Sequence, residues 1–366
     1  MFSRKFDDIT KNAMGVALLG LLCVVGGGDA RGQTPGQPDA NPKELHGGIE
    51  IALRTVRAIV LRVSISPEGD STKIISSDQI TPSTPFPRDD KPTPEYIHEL
   101  AQTVQKLLEK MQRDFRIPLN QIYLLGLSEL AGQVRDELAR EVREKIGKEI
   151  TFLDVSSETE LSIAGSIPRR YQQEGKSYDN RNISLMLEIG PTKIRGGYQQ
   201  LKQTARGRTE YDYATWEMPI VPGLRNKITQ NDGPYAGPYA GLMTRKKFYL
   251  TGDIVWALAT LLRPEDQRAY MPLTIEDINN FHFRAMNDPE ALLNPDLSKI
   301  TDQNTRNEAR KGREAVKALY TPKTLAAGAE AMKIVATELN LEEKQLIFAR
   351  NGSMARLLSY VRLQIN

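Results

Sequence analysis

The sequence is poor in the residues that build disulfide and imidazole or thiolate metal sites. Cys23 is the only cysteine among 366 residues, which excludes a disulfide scaffold and a thiolate zinc cluster. His46, His98 and His282 stand far apart, with neither HxxxH nor HxH spacing. That argues against an imidazole-rich metal site, though carboxylates could still hold a hard cation. Neither sign of charge dominates: 49 Lys and Arg against 46 Asp and Glu leave +3. No one-signed field therefore points to nucleic acid. The uncharged, mostly apolar run Ala13–Gly28 is 16 residues long, short of the ~20 that a membrane-spanning helix needs. No Walker loop, GxSxG, HExxH or post-strand GxGxxG occurs. What is there is ordinary for a soluble globular chain, with 40% apolar and 26% charged residues. At roughly 150 residues per domain the length suggests two domains.

Residues 1–30 read as an export signal. Arg4, Lys5 and Lys11 make a basic start, the apolar run follows, and Gly28-Asp29-Ala30 offers small residues for cleavage. A periplasmic or extracellular location is expected, with membrane attachment only if the signal stays uncleaved. Asp7 and Asp8 weaken the basic start and keep a short uncleaved anchor open as the alternative. Cleavage would remove Cys23, which suits an oxidising compartment. Residues 31–46, rich in Pro, Gly, Gln and Asn, are expected to be a flexible linker.

Two later segments begin alike. Gly48–Ile65 and Ser184–Leu201 each read as a strand, a tight turn and a returning strand. Glu50 matches Glu188, 138 positions on, and Thr55-Val56-Arg57 matches Lys193-Ile194-Arg195. Each half thus places an acid near the end of an apolar strand, then a turn, then an arginine. A domain-sized separation fits duplicated halves better than a short repeat. The expected division is 47–182 and 183–366, with the last helix able to pack back on the first half.

The remaining elements follow from periodicity. Ile97, Leu100, Val104, Leu107, Leu108 and Met111 recur at three- and four-residue spacing after Thr93-Pro94-Glu95, which predicts a helix to Phe115. Gln121–Glu129 and Glu149–Ser157 read as strands flanking a helix that runs to about Lys145. Asn231–Gly241 reads as a loop. The chain from Lys247 reads as mostly helical, with a short strand at Gln345–Ala349 and a last helix at Met354–Leu363.

Several motifs in order carry a resemblance. Glu50-Ile51-Ala52-Leu53-Arg54-Thr55-Val56-Arg57 resembles DIGSNSxR, and Gly126–Ala131 resembles a strand ending in TSAxR. Ser156-Ser157-Glu158-Thr159-Glu160-Leu161 resembles SGxEEA, and Glu188-Ile189-Gly190-Pro191-Thr192-Lys193 resembles DIGGGS. Met218–Arg225, Thr251–Leu258 and Phe348–Met354 are similar to LPLGxVR, GTARAL and VSDGGLREG. Over most of its folded length the chain resembles the exopolyphosphatase / guanosine pentaphosphate phosphatase (Ppx/GppA) family of the actin-like superfamily. The fold this implies is α/β, two actin-like (ribonuclease H-like) subdomains with a cleft between them.

The resemblance implies binding or hydrolysis of a phosphoanhydride, either polyphosphate or a guanosine polyphosphate. It also implies Mg²⁺ as cofactor, Glu50 and Glu188 as its ligands, and Glu160 as the base that orients water. Phosphate contacts fall on Arg54, Thr55, Arg57, Gly190, Thr192 and Lys193. No nucleic-acid partner is expected, and a homodimer is compatible with the pattern. The loops depart from the family. Ala52, Leu53 and Arg54 replace Gly, Ser and Asn, and Pro191 removes an amide donor. Cationic side chains in place of preorganised amides favour binding over catalysis. A catalytically inactive binding or scaffold protein is therefore the alternative. For Glu50 and Glu188 the alternative is a strand-end acid paired with a nearby arginine; for Glu160 it is a solvated acid in a helix's first turn.

Overall fold

The computed structural model describes residues 45–53, 55–64, 71–80, 82–84, 92–130, 132–168, 170–173, 176–180, 183–190, 193–203, 209–221 and 240–365. The expected export signal and most of the linker and of the loop Asn231–Gly241 lie outside these residues. Among the described residues no helix is long and apolar enough to cross a membrane.

The chain divides into two compact units. One holds the described residues up to 158 with 357–365, and the other holds 159–356. The first opens with β1 (Leu45–Ile51), β2 (Val56–Ser64) and β3 (Ser71–Ile80), all antiparallel neighbours. Helix α1 (Pro94–Phe115) starts where Pro94 follows Thr93, whose side chain accepts from the Tyr96 amide. It stops at Arg116, which adopts the left-handed conformation at φ 56°. Ile97, Leu100, Val104, Leu107, Leu108 and Met111 all point into the core against β1 and β2. Then come β4 (Ile122–Gly126), α2 (Gln133–Ile146), β5 (Thr151–Phe152) and α3 (Val155–Ser166). β4 runs parallel to β1, and β5 parallel to β4, giving the order β3-β2-β1-β4-β5.

The strand expected to reach Ser157 ends at Phe152. Asp154 causes this: its carboxylate accepts from the Ser157 amide at 2.7 Å and starts α3. The compact units part inside α3, between residues 158 and 159. Beyond that point Ile163 and Ile167 cluster with Met186, Tyr249, Ile347 and Ala349, all of the second unit.

The second unit continues through β6 (Arg170–Gln173), β7 (Lys176–Asp179), β8 (Ser184–Ile189), β9 (Lys193–Gln203) and β10 (Thr209–Pro219). Next are α4 (Ala240–Thr244), β11 (Lys247–Thr251), α5 (Asp253–Leu262), β12 (Tyr270–Leu273), α6 (Ile275–Asn287) and α7 (Pro289–Leu293). Helices α8 (Gln303–Leu319) and α9 (Pro322–Glu338) lead to β13 (Gln345–Ala349), and α10 (Ala355–Ile365) ends the chain. The sheet order is β10-β9-β8-β11-β13-β12. Strands β10, β9 and β8 are antiparallel, while β8, β11 and β13 are parallel.

The first sheet's order therefore recurs in the second, strand for strand, with β12 added at the edge. β11 and β12 fall where the sequence reads as helical. Each is held as a strand by its neighbours in the sheet, which the local pattern does not report. Trp216 is buried in the second core, as packing. Arg245 and Lys247 are buried: Arg245 lies over the Tyr198 ring and donates to the Gln199 carbonyl. Burial pushes both groups below their ordinary pKa values.

Candidate functional site

In the first unit the carboxyl ends of β1, β4 and β5 bring three loops to one edge of the sheet, where ligands of parallel sheets bind. Register puts Glu50 opposite Arg57 and Ile51 opposite Val56, so residues 52–55 make the turn. The Ala52 amide donates to the Thr55 carbonyl at 2.9 Å, closing the turn on itself. The Leu53 amide donates to Glu129 Oε1 at 2.5 Å, and the Tyr96 hydroxyl donates to the Leu53 carbonyl at 2.9 Å. An amide expected to cradle phosphate thus holds a carboxylate of the chain itself. Glu50 is 1% exposed and meets Arg57 Nη1 at 3.1 Å, while Arg57 Nε donates to Gln79 at 3.1 Å. Thr55 is half-buried beside them. Arg54 and Ala131 lie outside the described residues.

The same unit holds a second buried acid, one that the motif match leaves without a role. Glu158 accepts from the Ser128 hydroxyl at 2.6 Å and the Ser128 amide at 3.2 Å. It ties the loop after β4 to the start of α3. Glu160 stands two residues on, about 200° round the helix, so the two carboxylates leave α3 on opposite faces. Glu160 itself is half-buried. The Asp154 cap, legible as Asp before Val-Ser-Ser-Glu, is the signal that fixes which acid turns toward Ser128.

The second hairpin repeats the first. Glu188 lies opposite Arg195 and Ile189 opposite Ile194. The Gly190 amide donates to the Lys193 carbonyl at 3.0 Å, the same closure over a turn of the same length. Pro191 and Thr192 lie outside the described residues. Arg195 Nε and Lys193 Nζ each meet Glu217 Oε2 at 3.0 Å. Burial raises the Glu217 pKa, but the hydrogen bonds from Lys193 and Arg195 outweigh it and hold the carboxyl below its ordinary value. Glu188 meets Arg356 Nη1, from the first turn of α10, at 3.5 Å.

Glycines stand at the mouths of all three parallel strands: Gly190 after β8, Gly252 after β11 and Gly352 after β13. Gly252 has φ +103°, and a Cβ there would run into the Ile189 carbonyl. A Cβ on Gly352 would meet Thr251 Cγ2 at 2.5 Å. Helix α5 starts directly from Gly252 with no side-chain cap.

No family model matches the sequence, and no curated protein matches it. Solved structures do. The Aquifex aeolicus member of the Ppx/GppA protein family superposes with a TM-score of 0.54 at 14% identity, over 88% of this chain and 98% of that one. An exopolyphosphatase from Cytophaga hutchinsonii ATCC 33406 gives 0.50 at 10% identity, over 86% and 98%. An exopolyphosphatase-like protein gives 0.50 at 12%, over 88% and 99%. The chain has the Ppx/GppA fold. At these identities the likeness is one of architecture, and it agrees with the resemblance carried by the motifs.

Within the Ppx/GppA fold, the residues present do not suit direct ligation of Mg²⁺. Mg²⁺ holds its waters tightly and needs carboxylates open to it. Glu50 is closed off and already neutralised by Arg57, and Glu188 shares its charge with Arg356. Among the described residues no group of three or more His, Cys, Asp or Glu side chains gathers as a metal cage. Glu50 and Glu188, the expected ligands, are each paired with an arginine, Glu50 with Arg57 and Glu188 with Arg356. Arg57 is committed to Glu50, and Lys193 to Glu217, so neither stands apart as an uncommitted phosphate contact.

Proposed function

We propose that this is an exported protein of Ppx/GppA fold that binds a phosphoanhydride polyanion and does not turn it over. The observation that carries the reading is the bond from the Leu53 amide to Glu129. Hydrolysis by this fold would need backbone donors preorganised for the charge that develops on phosphate oxygens. In the first turn one such donor is closed on Thr55 and the next is held by a carboxylate. The second hairpin supports binding. Lys193, Arg195 and Arg356 stand there against Glu188 and Glu217, an excess of one positive charge. Polyphosphate is the ligand proposed, because guanosine polyphosphates are scarce outside the cytoplasm.

The test uses long-chain polyphosphate with Mg²⁺ present. Polyphosphate should raise the melting temperature, and phosphate release should stay at the level of the Glu160→Ala variant. Release that disappears in Glu160→Ala would make the chain a hydrolase. Neither a thermal shift nor release would leave a scaffold role with a protein partner.

A further inference from the structure

We infer that arginines take the place of a divalent cation at both strand-end acids, so that polyanion binding needs no Mg²⁺. The inference deepens the binding reading above and rests on it. Glu50 and Glu188 occupy equivalent positions in the duplicated sheets, each opposite an arginine in register. Each carboxylate has a guanidinium within 4 Å, yet the arginines come from unrelated places. Arg57 is on the returning strand of the hairpin, at 3.1 Å from Glu50. Arg356 is 168 residues beyond Glu188, at the start of α10 and 3.5 Å away. The cross-strand Arg195, which register would offer to Glu188, bonds Glu217. Charge neutralisation is thus achieved twice, by different means.

The burial pattern makes the substitution hard to reverse. A cation entering beside Glu50 would have to lose its waters to reach a carboxylate that is 1% exposed. It would also place positive charge against a guanidinium that Gln79 holds in position. Glu188 is 27% exposed, but Arg356 beside it is 8% exposed and could not swing into solvent without losing its packing. A phosphate oxygen arriving at either hairpin therefore meets a neutral Glu–Arg pair, and no Mg²⁺ bridge is needed to offset carboxylate repulsion.

The full chain would be titrated with Mn²⁺, followed by electron paramagnetic resonance, and with long-chain polyphosphate by calorimetry in EDTA and in Mg²⁺. The wild type should bind no stoichiometric Mn²⁺. Its polyphosphate affinity should be as tight in EDTA as in Mg²⁺, or tighter, since Mg²⁺ screens the polyanion. A wild-type Mn²⁺ site lost in Glu188→Gln, or an affinity that falls about tenfold or more in EDTA, would overturn the inference. If polyphosphate binds under neither condition, the binding reading fails, and the wild-type Mn²⁺ titration alone then decides the arginine substitution. That titration needs no variant to fold.

Discussion

At the residue scale, the first turn is governed by carboxylates that accept from backbone amides. Glu129 is an exposed side chain that accepts from the Leu53 amide, so its removal disturbs little packing. Glu129→Ala should release that amide and tighten polyphosphate binding about three- to tenfold, the scale of one ordinary hydrogen bond's net contribution. Unchanged affinity, measured by calorimetry, would mean the amide is not part of the anion site. Glu99, on α1, does comparable work by accepting from the Ser83 and Thr84 amides. Burial opposes its ionisation, but bonds from Ser83 and Thr84 prevail and bring its pKa to about 2 from 4.5. Because the folded-state value is the lower one, this stabilisation is complete above 4.5 and disappears as the pH falls through about 2. Glu99→Gln should therefore melt below wild type at pH 7 and converge with it in strong acid. Parallel melting curves at every pH would refute the coupling. Glu158, buried against Ser128, should matter more to stability than Glu160: Glu158→Ala should lose more melting temperature than Glu160→Ala.

At the scale of elements, the hairpins, α1, β4 and β13 were legible because each has a strong local signal. Thr93-Pro94 marks the start of α1, and its buried stripe recurs at helical spacing. The turns 52–55 and 190–193 are marked by matching flanks. β3, β11 and β12 were not legible: Lys247–Thr251 and Tyr270–Leu273 are strands because neighbouring strands hold them, which periodicity cannot report. The choice of Glu158 over Glu160 was hidden for a different reason. It depends on the rotational phase of α3, which Asp154 sets, and a one-dimensional motif match carries no phase. Gly252 joins the two kinds of information, since the Thr-Gly pair is visible in sequence while its positive φ against Ile189 is not. Gly252→Ala should cost about 2 to 4 kcal/mol in chemical denaturation, combining left-handed strain with a backbone clash. A cost under about 0.5 kcal/mol, typical of a neutral surface site, would show that the β11–α5 turn can relax.

At the scale of the whole molecule, duplication explains why two hairpins share a turn length, a closing hydrogen bond and an acid–arginine register. It does not explain ligand affinity, because a net charge of +3 over 366 residues produces no long-range attraction for a polyanion. Binding must then come from local cations, and the exposed ones respond to salt in a way that the buried pairs do not. Lys193 is half-exposed, whereas Glu50 and Arg57 are shielded from solvent. With a Debye length of about 8 Å at physiological ionic strength and about 3 Å at 1 M, added salt reaches the first kind of contact and spares the second. Raising salt toward 1 M should weaken polyphosphate binding by about an order of magnitude or more. The melting temperature without ligand should move by only a degree or two, about the shift expected for less than 1 kcal/mol. Calorimetry and thermal melting over the same salt series separate the two responses. Affinity indifferent to salt would remove the cationic hairpin from the binding site, and a ligand-free melting temperature that collapsed with salt would mean that the Glu–Arg pairs are reached by solvent after all.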